Sequence, residues 1–170
     1  MGNYNNFNMA LAAGTKGEQL AASILESLGY TLEEVTKNAE YQKLDIDFIV
    51  YKGSDHFTLE VKADSRIQQT KNICVEILTN KQLMKCGWFF TTEATVLAFT
   101  DVIKKRIHLV NTNELRELYK SRRGVLRHLE TEQIECGYFH KRAEIALIPL
   151  EEVKKLPSYR CLTALTQYLN

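Results

Sequence analysis

The stretch "KLDIDFIVYKGSDHFTLEVKAD", Lys43 to Asp64, governs how the rest of the chain is read. Two apolar runs flank Gly53-Ser54, and both carry charge: Asp45 and Asp47 in the first, Glu60 and Lys62 in the second. Glycine at the first central position of a two-residue loop suits a type II′ turn. Lys52 then pairs with Asp55. Counting outward along the antiparallel ladder sets Val50 against Phe57, Asp47 against Glu60 and Asp45 against Lys62. Side chains alternate faces with period two, so the four charged residues share one face. The other face carries Leu44, Ile46, Phe48 and Val50, with Leu59 and Val61 across from them, and is uniformly apolar. A bulge would break this parity.

Directly opposed residues have Cβ atoms roughly 4.5–5.5 Å apart, and two carboxylates that close repel unless something neutralises them. A plain solvent-facing hairpin accounts for Asp45 and Lys62 as a salt bridge. It leaves Asp47 and Glu60 as a destabilising like-charge contact. A hard divalent cation resolves that contact, and Mg²⁺ is commonly held by one or two carboxylates together with water and phosphate oxygens. A lysine beside it can offset charge on a phosphate or assist a water. The pattern predicts a site for metal-assisted attack on a phosphodiester. Asp45 stays open, as a further ligand or as the restraint on Lys62.

The surroundings read as one α/β domain with a central mixed sheet flanked by helices, occupying residues 14–170 behind a flexible Asn-rich N-terminus at 1–13. "TKGEQLAASILESLGY" predicts a helix: Thr15 and Glu18 have capping-box spacing, and Leu20, Ile24 and Leu28 form one apolar stripe. Tyr30–Val35 is a short strand or a loop. "DIDFIVY", "FTLEVKA", "NICVEIL", "TVLAFTD", "RIHLVN" and "AEIALIPL" read as strands. "NTNELRELYKSRRGVLRHLE", "PLEEVKKL" and "SYRCLTALTQYL" read as helices, the first capped by Thr112 or Asn113. That element order suits a layered mixed sheet rather than a regular βαβ repeat.

No apolar run is long enough to span a bilayer. The start lacks the basic and apolar regions of a signal peptide, and Met-Gly is not followed by Ser or Thr at position six. An intracellular, cytoplasmic protein is expected, in the host cytoplasm if phage-encoded. Cys74, Cys86, Cys136 and Cys161 form no Cys-x-x-Cys pair, and Cys136 with His140 lacks a second ligand pair, so free thiols are expected. Acids exceed bases in the first hundred residues and bases exceed acids in the rest, in clusters at Lys104–Arg106, Lys120–His128 and His140–Arg142. That asymmetry suits an acidic metal site beside a phosphate-holding surface, or a solvated face.

Asp47 followed by "FIV", with Glu60 after twelve further residues inside "LEVK", resembles the PD-(D/E)xK nuclease superfamily. "KGEQLAASILESLGY" before it is similar to the first helix of Holliday-junction resolvases, and "VKADSRIQQTKNICVEIL" after it to phage-type and restriction-type members. The resemblance covers roughly residues 14–100. It implies a restriction-endonuclease-like fold and a Mg²⁺-dependent DNA endonuclease in which Mn²⁺ substitutes, acting on duplex, branched or phage DNA, often as a homodimer. Carried over by position, Asp47 and Glu60 hold the metal with the Val61 backbone carbonyl, and Lys62 is the catalytic lysine. Glu18 stands where the family often places an extra acid. Ile46 occupies the place of the motif's proline. The alternative is a catalytically inactive DNA-binding or accessory protein of the same fold.

Other residues carry two readings each. Glu18 is either the capping acid or a ligand. Glu76 approaches the metal or pairs with Lys81. Lys81, Gln82, Lys85, Arg122, Arg123 and Arg127 contact DNA or face solvent, the three arginines on a helix. His108 is expected as a partly exposed strand residue. Trp88, Phe89 and Phe90 read as core, with Trp88 placed to edge a groove.

Overall fold

The computed structural model describes residues 3–135 and 139–163, with side chains described for 12–132 and 142–163. Cys136, the His140 side chain and the last seven residues lie outside them. The chain runs α1 (Asn3–Ser27), β1 (Thr31–Glu34), α2 (Ala39–Lys43), β2 (Phe48–Lys52), β3 (Asp55–Ala63), α3 (Ile67–Thr70), β4 (Asn72–Asn80), β5 (Lys85–Cys86), α4 (Trp88–Thr91), β6 (Val96–Asp101), β7 (Arg106–Asn111), α5 (Thr112–Arg122), β8 (Arg127–Glu135), β9 (Phe139–Pro149), α6 (Leu150–Val153) and β10 (Arg160–Thr163). It is a mixed α/β architecture. A six-stranded sheet in the order β1-β2-β3-β6-β7-β10 lies against a four-stranded sheet, β5-β4-β9-β8. Among the described strands β3 and β6 form the one parallel pair.

The apolar face of the opening hairpin meets α1. Phe48, Val50, Leu59 and Val61 pack with Ala21, Ile24 and Leu25 of the helix and Ala98, Ile107 and Leu109 of the sheet. Gly17 permits this approach: a Cβ there would lie 2.7 Å from Thr100 Oγ1 and 3.2 Å from Ala63 Cβ. The opposite face, with Leu97, Phe99 and Val110, packs on Ile73, Val75, Ile77, Ala146 and Ile148 of the second sheet and on Phe89, Leu115 and Tyr119. The large sheet is thus buried on both sides at β3 and β6. Charge on the inner side of β3 lies between two apolar layers.

Several expectations need correction. α1 begins at Asn3, so Thr15 and Glu18 lie inside the helix and do not cap it. α5 is capped by the Asn111 side chain, which accepts from the Asn113 and Glu114 amides, one residue earlier than expected. It ends at Arg122, and the segment read as its continuation turns and becomes β8, so Arg127 is on a strand. The helix expected over "SYRCLTALTQYL" is strand β10 as far as Thr163; the remainder is outside the described residues. Hydrophobic period alone does not separate a short buried helix from a strand, and here edge pairing with β7 decided it. His108 is not partly exposed. It is 1% exposed, with Nδ1 2.8 Å from the Tyr159 hydroxyl, and burial pushes its pKa down to about 4.

Gly87 caps α4 against the second sheet. A Cβ at this position would sit 2.3 Å from the Glu76 carbonyl oxygen, and backbone cannot yield as a side chain does. Gly87→Ala is therefore expected to destabilise the fold by about 1–3 kcal/mol, the usual range for overpacking. The urea midpoint should fall, and an unchanged midpoint would refute the close approach.

Candidate active site

The hairpin has the register counted from its turn. Lys52 pairs with Asp55, Val50 with Phe57 and Phe48 with Leu59. Gly53 has φ 63° and Ser54 does not have positive φ, as a type II′ turn requires. One step beyond Phe48, the Asp47 amide donates to the Leu59 carbonyl at 2.9 Å, and the Asp47 carbonyl accepts from Val35 at 2.9 Å. Asp47 thus lies just before β2, its amide on the Leu59 carbonyl already paired with Phe48 in a bulge-like step, and its side chain reaches Glu60.

The two carboxyl groups interact directly. Asp47 is among the causes that raise the Glu60 pKa, and Glu60 in turn perturbs Asp47. Glu60 is 3% exposed, on the inner side of β3. Burial first, then the Asp47 carboxylate, pushes its pKa up to about 8, against the opposing charge of Lys62. Asp47 is also raised by burial, with a Val61 amide bond at 2.8 Å to Oδ2 and Lys62 pulling the other way. The Val61 group that meets Asp47 is its N–H.

Lys62 lies two residues along the same face and pairs with Glu60 Oε1. Its ammonium also stands 4.7 Å from the centre of the Trp88 ring. Its side chain is 29% exposed, so it forms the boundary between the buried acid and solvent. Glu18 of α1 is partly buried, and its pKa is raised by burial and by Asp47 and Glu34, with Lys62 opposing. It thus faces the same charges from the helix side.

Asp45 does not sit across from Lys62. It follows α2 in a left-handed conformation, φ 50°, outside the ladder. Its Oδ2 accepts from Thr91 Oγ1 at 3.0 Å and its carbonyl from Thr92 Oγ1 at 2.9 Å. The two-residue count fails because the chain leaves the extended conformation before Asp47. Ile46 consequently packs with Val35 and Ala94, apart from Phe48 and Val50, while Leu44 is exposed.

The remaining candidates are dispersed. Lys81 pairs with Glu130 and Glu144, not with Glu76. Arg122 pairs with Glu152 at 2.8 Å. The Gln82 side-chain oxygen Oε1 accepts from the Arg142 backbone N–H at 3.4 Å. Arg123 lines an apolar cleft of about 250 Å³ with Met84, Phe90 and Tyr119. Lys85 is exposed. Two contributors were not foreseen as part of the site: Trp88 as the support of Lys62, and Asp64, whose Oδ2 is buried without a hydrogen-bond partner. Asp64 follows Lys62 at the same two-residue spacing, a signal the sequence already held.

Glu60 Oε2 is likewise buried without a hydrogen-bond partner. An unsatisfied carboxyl oxygen beside a second carboxylate is a place a cation fits. Among the described residues, no three His, Cys, Asp or Glu side chains gather closely enough to hold a metal by themselves. A cation here would take two carboxylates and fill its other positions from water and substrate, which is Mg²⁺-like rather than zinc-like behaviour. No helix among the described residues is long and apolar enough to cross a membrane. Comparison with known protein families, with curated proteins and with solved structures gives no match to the chain.

Proposed function

We propose that the chain is a Mg²⁺-dependent DNA endonuclease of the PD-(D/E)xK type, with a restriction-endonuclease-like fold, in which Mn²⁺ can replace Mg²⁺. The observation that carries this reading is Glu60: a buried acid with one unpartnered oxygen, set beside Asp47 and joined to Lys62. Asp47 and Glu60 would hold the cation, with Glu18 near enough to add negative charge from α1. When bound, the cation supplies Lewis-acid polarisation of the phosphoryl group.

The chain's own residues do the rest. Lys62 places a fixed positive charge at the mouth of the site, where it offsets charge developing on the phosphoryl oxygens and orients the attacking water. Its position in the free protein is set twice, by Glu60 and by the Trp88 ring. The apolar layers behind Glu60 exclude bulk water and strengthen each of these charge interactions.

Purified protein incubated with plasmid, linear and branched DNA, and with RNA in parallel, is expected to cleave DNA when Mg²⁺ or Mn²⁺ is present and not when EDTA is added. DNA binding without cleavage of any substrate would instead favour an accessory protein of the same fold, and preferential RNA cleavage would move the substrate class. Whether the active form is a homodimer is read from the same preparation by sedimentation.

A further inference from the structure

Beside Lys62 a cleft of about 240 Å³ opens between the two sheets, lined by Lys62, Asp64, Arg66, Cys74, Trp88 and Phe99. It is smaller than the roughly 300–1,000 Å³ of sites that enclose drug-sized ligands, so it suits one planar ring and not a base pair. Its contents are ordered by polarity. Trp88, Phe99 and Cys74 supply apolar and aromatic walls. Arg66 is exposed, and its charge acts on the Asp64 carboxyl and on Cys74 beside it. Lys62 joins the cleft to Glu60.

Asp64 also lines the cleft and has a buried, unpartnered oxygen. Its carboxyl makes the interior hostile to a phosphate, whereas Arg66 and Lys62 attract one. The favoured ligand is therefore amphipathic in a particular sense: a flat, uncharged ring inside and an anionic group outside. A nucleotide has that form. A base within a duplex cannot enter without leaving its partner, and an unpaired one can.

We propose that this cleft receives the base of an unpaired DNA nucleotide next to the scissile phosphate, stacked on Trp88 in the place the Lys62 ammonium takes in the free protein, with its phosphate on Arg66 and Lys62. The inference rests on the nuclease reading and narrows its substrate to DNA with single-stranded character, such as ends, flaps or junctions. Base stacking on an aromatic side chain is sequence-tolerant and typically worth tenfold or more in affinity per base.

Trp88 is the chain's only tryptophan, so its emission reports the cleft directly. In EDTA, where binding is read without cleavage, a short single-stranded oligodeoxynucleotide should quench that emission saturably. A blunt duplex and an abasic strand of equal length and charge should need at least about tenfold higher concentrations. Arg66→Ala should weaken the single-strand titration about tenfold and leave the folded-state emission unchanged. By anisotropy of a labelled strand, Trp88→Phe should retain binding and Trp88→Ala should lose it. Equal quenching by duplex or abasic DNA, or no quenching, would overturn the proposal. Cleavage of duplex without such quenching would sink this inference and leave the nuclease; quenching by single strands without cleavage in Mg²⁺ would sink the nuclease reading and, with it, the scissile phosphate on which this inference rests.

Discussion

Replacing Lys62 with alanine is expected to lower Mg²⁺-dependent phosphodiester cleavage about 10²–10³-fold, the range seen when one preorganised group facing transition-state charge is removed. Lys62 is partly exposed, so the fold should survive, and circular dichroism should match wild type. Lys62→Arg keeps the positive charge but not the compact ammonium, and the planar guanidinium cannot reproduce a point charge between Glu60 and the indole. It should recover only part of the rate. Single-turnover cleavage of one labelled substrate at saturating Mg²⁺ separates the loss of chemistry from weaker cation binding, because Lys62 also lowers the Glu60 pKa. Equal rates for wild type and Lys62→Ala would remove Lys62 from the chemistry.

The second large effect is expected at Glu60, and it depends on pH. In the unfolded chain this carboxyl titrates near 4.5, and in the fold near 8. Between those values the folded protein retains a proton that the unfolded chain has released, so stability falls as pH rises through that window. At 1.36 kcal/mol per pKa unit, the ionised form is disfavoured by about 5 kcal/mol. Glu60→Gln keeps the shape of the protonated acid and cannot ionise. At pH 5 it should melt close to wild type, and at pH 9 about 10–20 °C higher, given about 2–4 °C per kcal/mol for a chain of this size. Mg²⁺ should raise the wild-type melting temperature increasingly with pH, because the cation competes with that proton, and should leave Glu60→Gln unmoved. Parallel melting curves across pH 5–9 would contradict this account.

The hairpin was legible because its turn fixes its register. Gly53-Ser54 sets every pairing from Lys52 to Phe48, and Asp47, one residue before that ladder, still brings its carboxyl to Glu60. What could not be counted was where the extended conformation begins. Asp45 lies beyond that point, held by Thr91 and Thr92 far along the sequence, and no local pattern announces such a contact. The cation–π contact of Lys62 with Trp88 was hidden for the same reason, since it depends on how α4 docks between the sheets. The basic residues carried two readings each, DNA contact or solvent, and their acidic partners lie on separate elements: Glu152 for Arg122 and Glu130 for Lys81. Arg127 was lost with the helix that should have carried it. Charge clusters in sequence say little about which of their members remain available once the layers close.

The parallel partnership of β3 with β6 also sets an order of events. A two-residue hairpin closes within about 1–10 μs, whereas pairing Glu60 beside Leu97 must first close a long loop and is slow by comparison. Asp47 and Glu60 therefore meet first in water, where both are ionised and neither is committed. Burial of Glu60 is complete only after β6 has joined β3, and near neutral pH a carboxyl held near 8 takes up a proton as it is buried. The last stage of folding and the protonation of Glu60 are in this sense one event, timed by the arrival of a strand that carries none of the acidic pair.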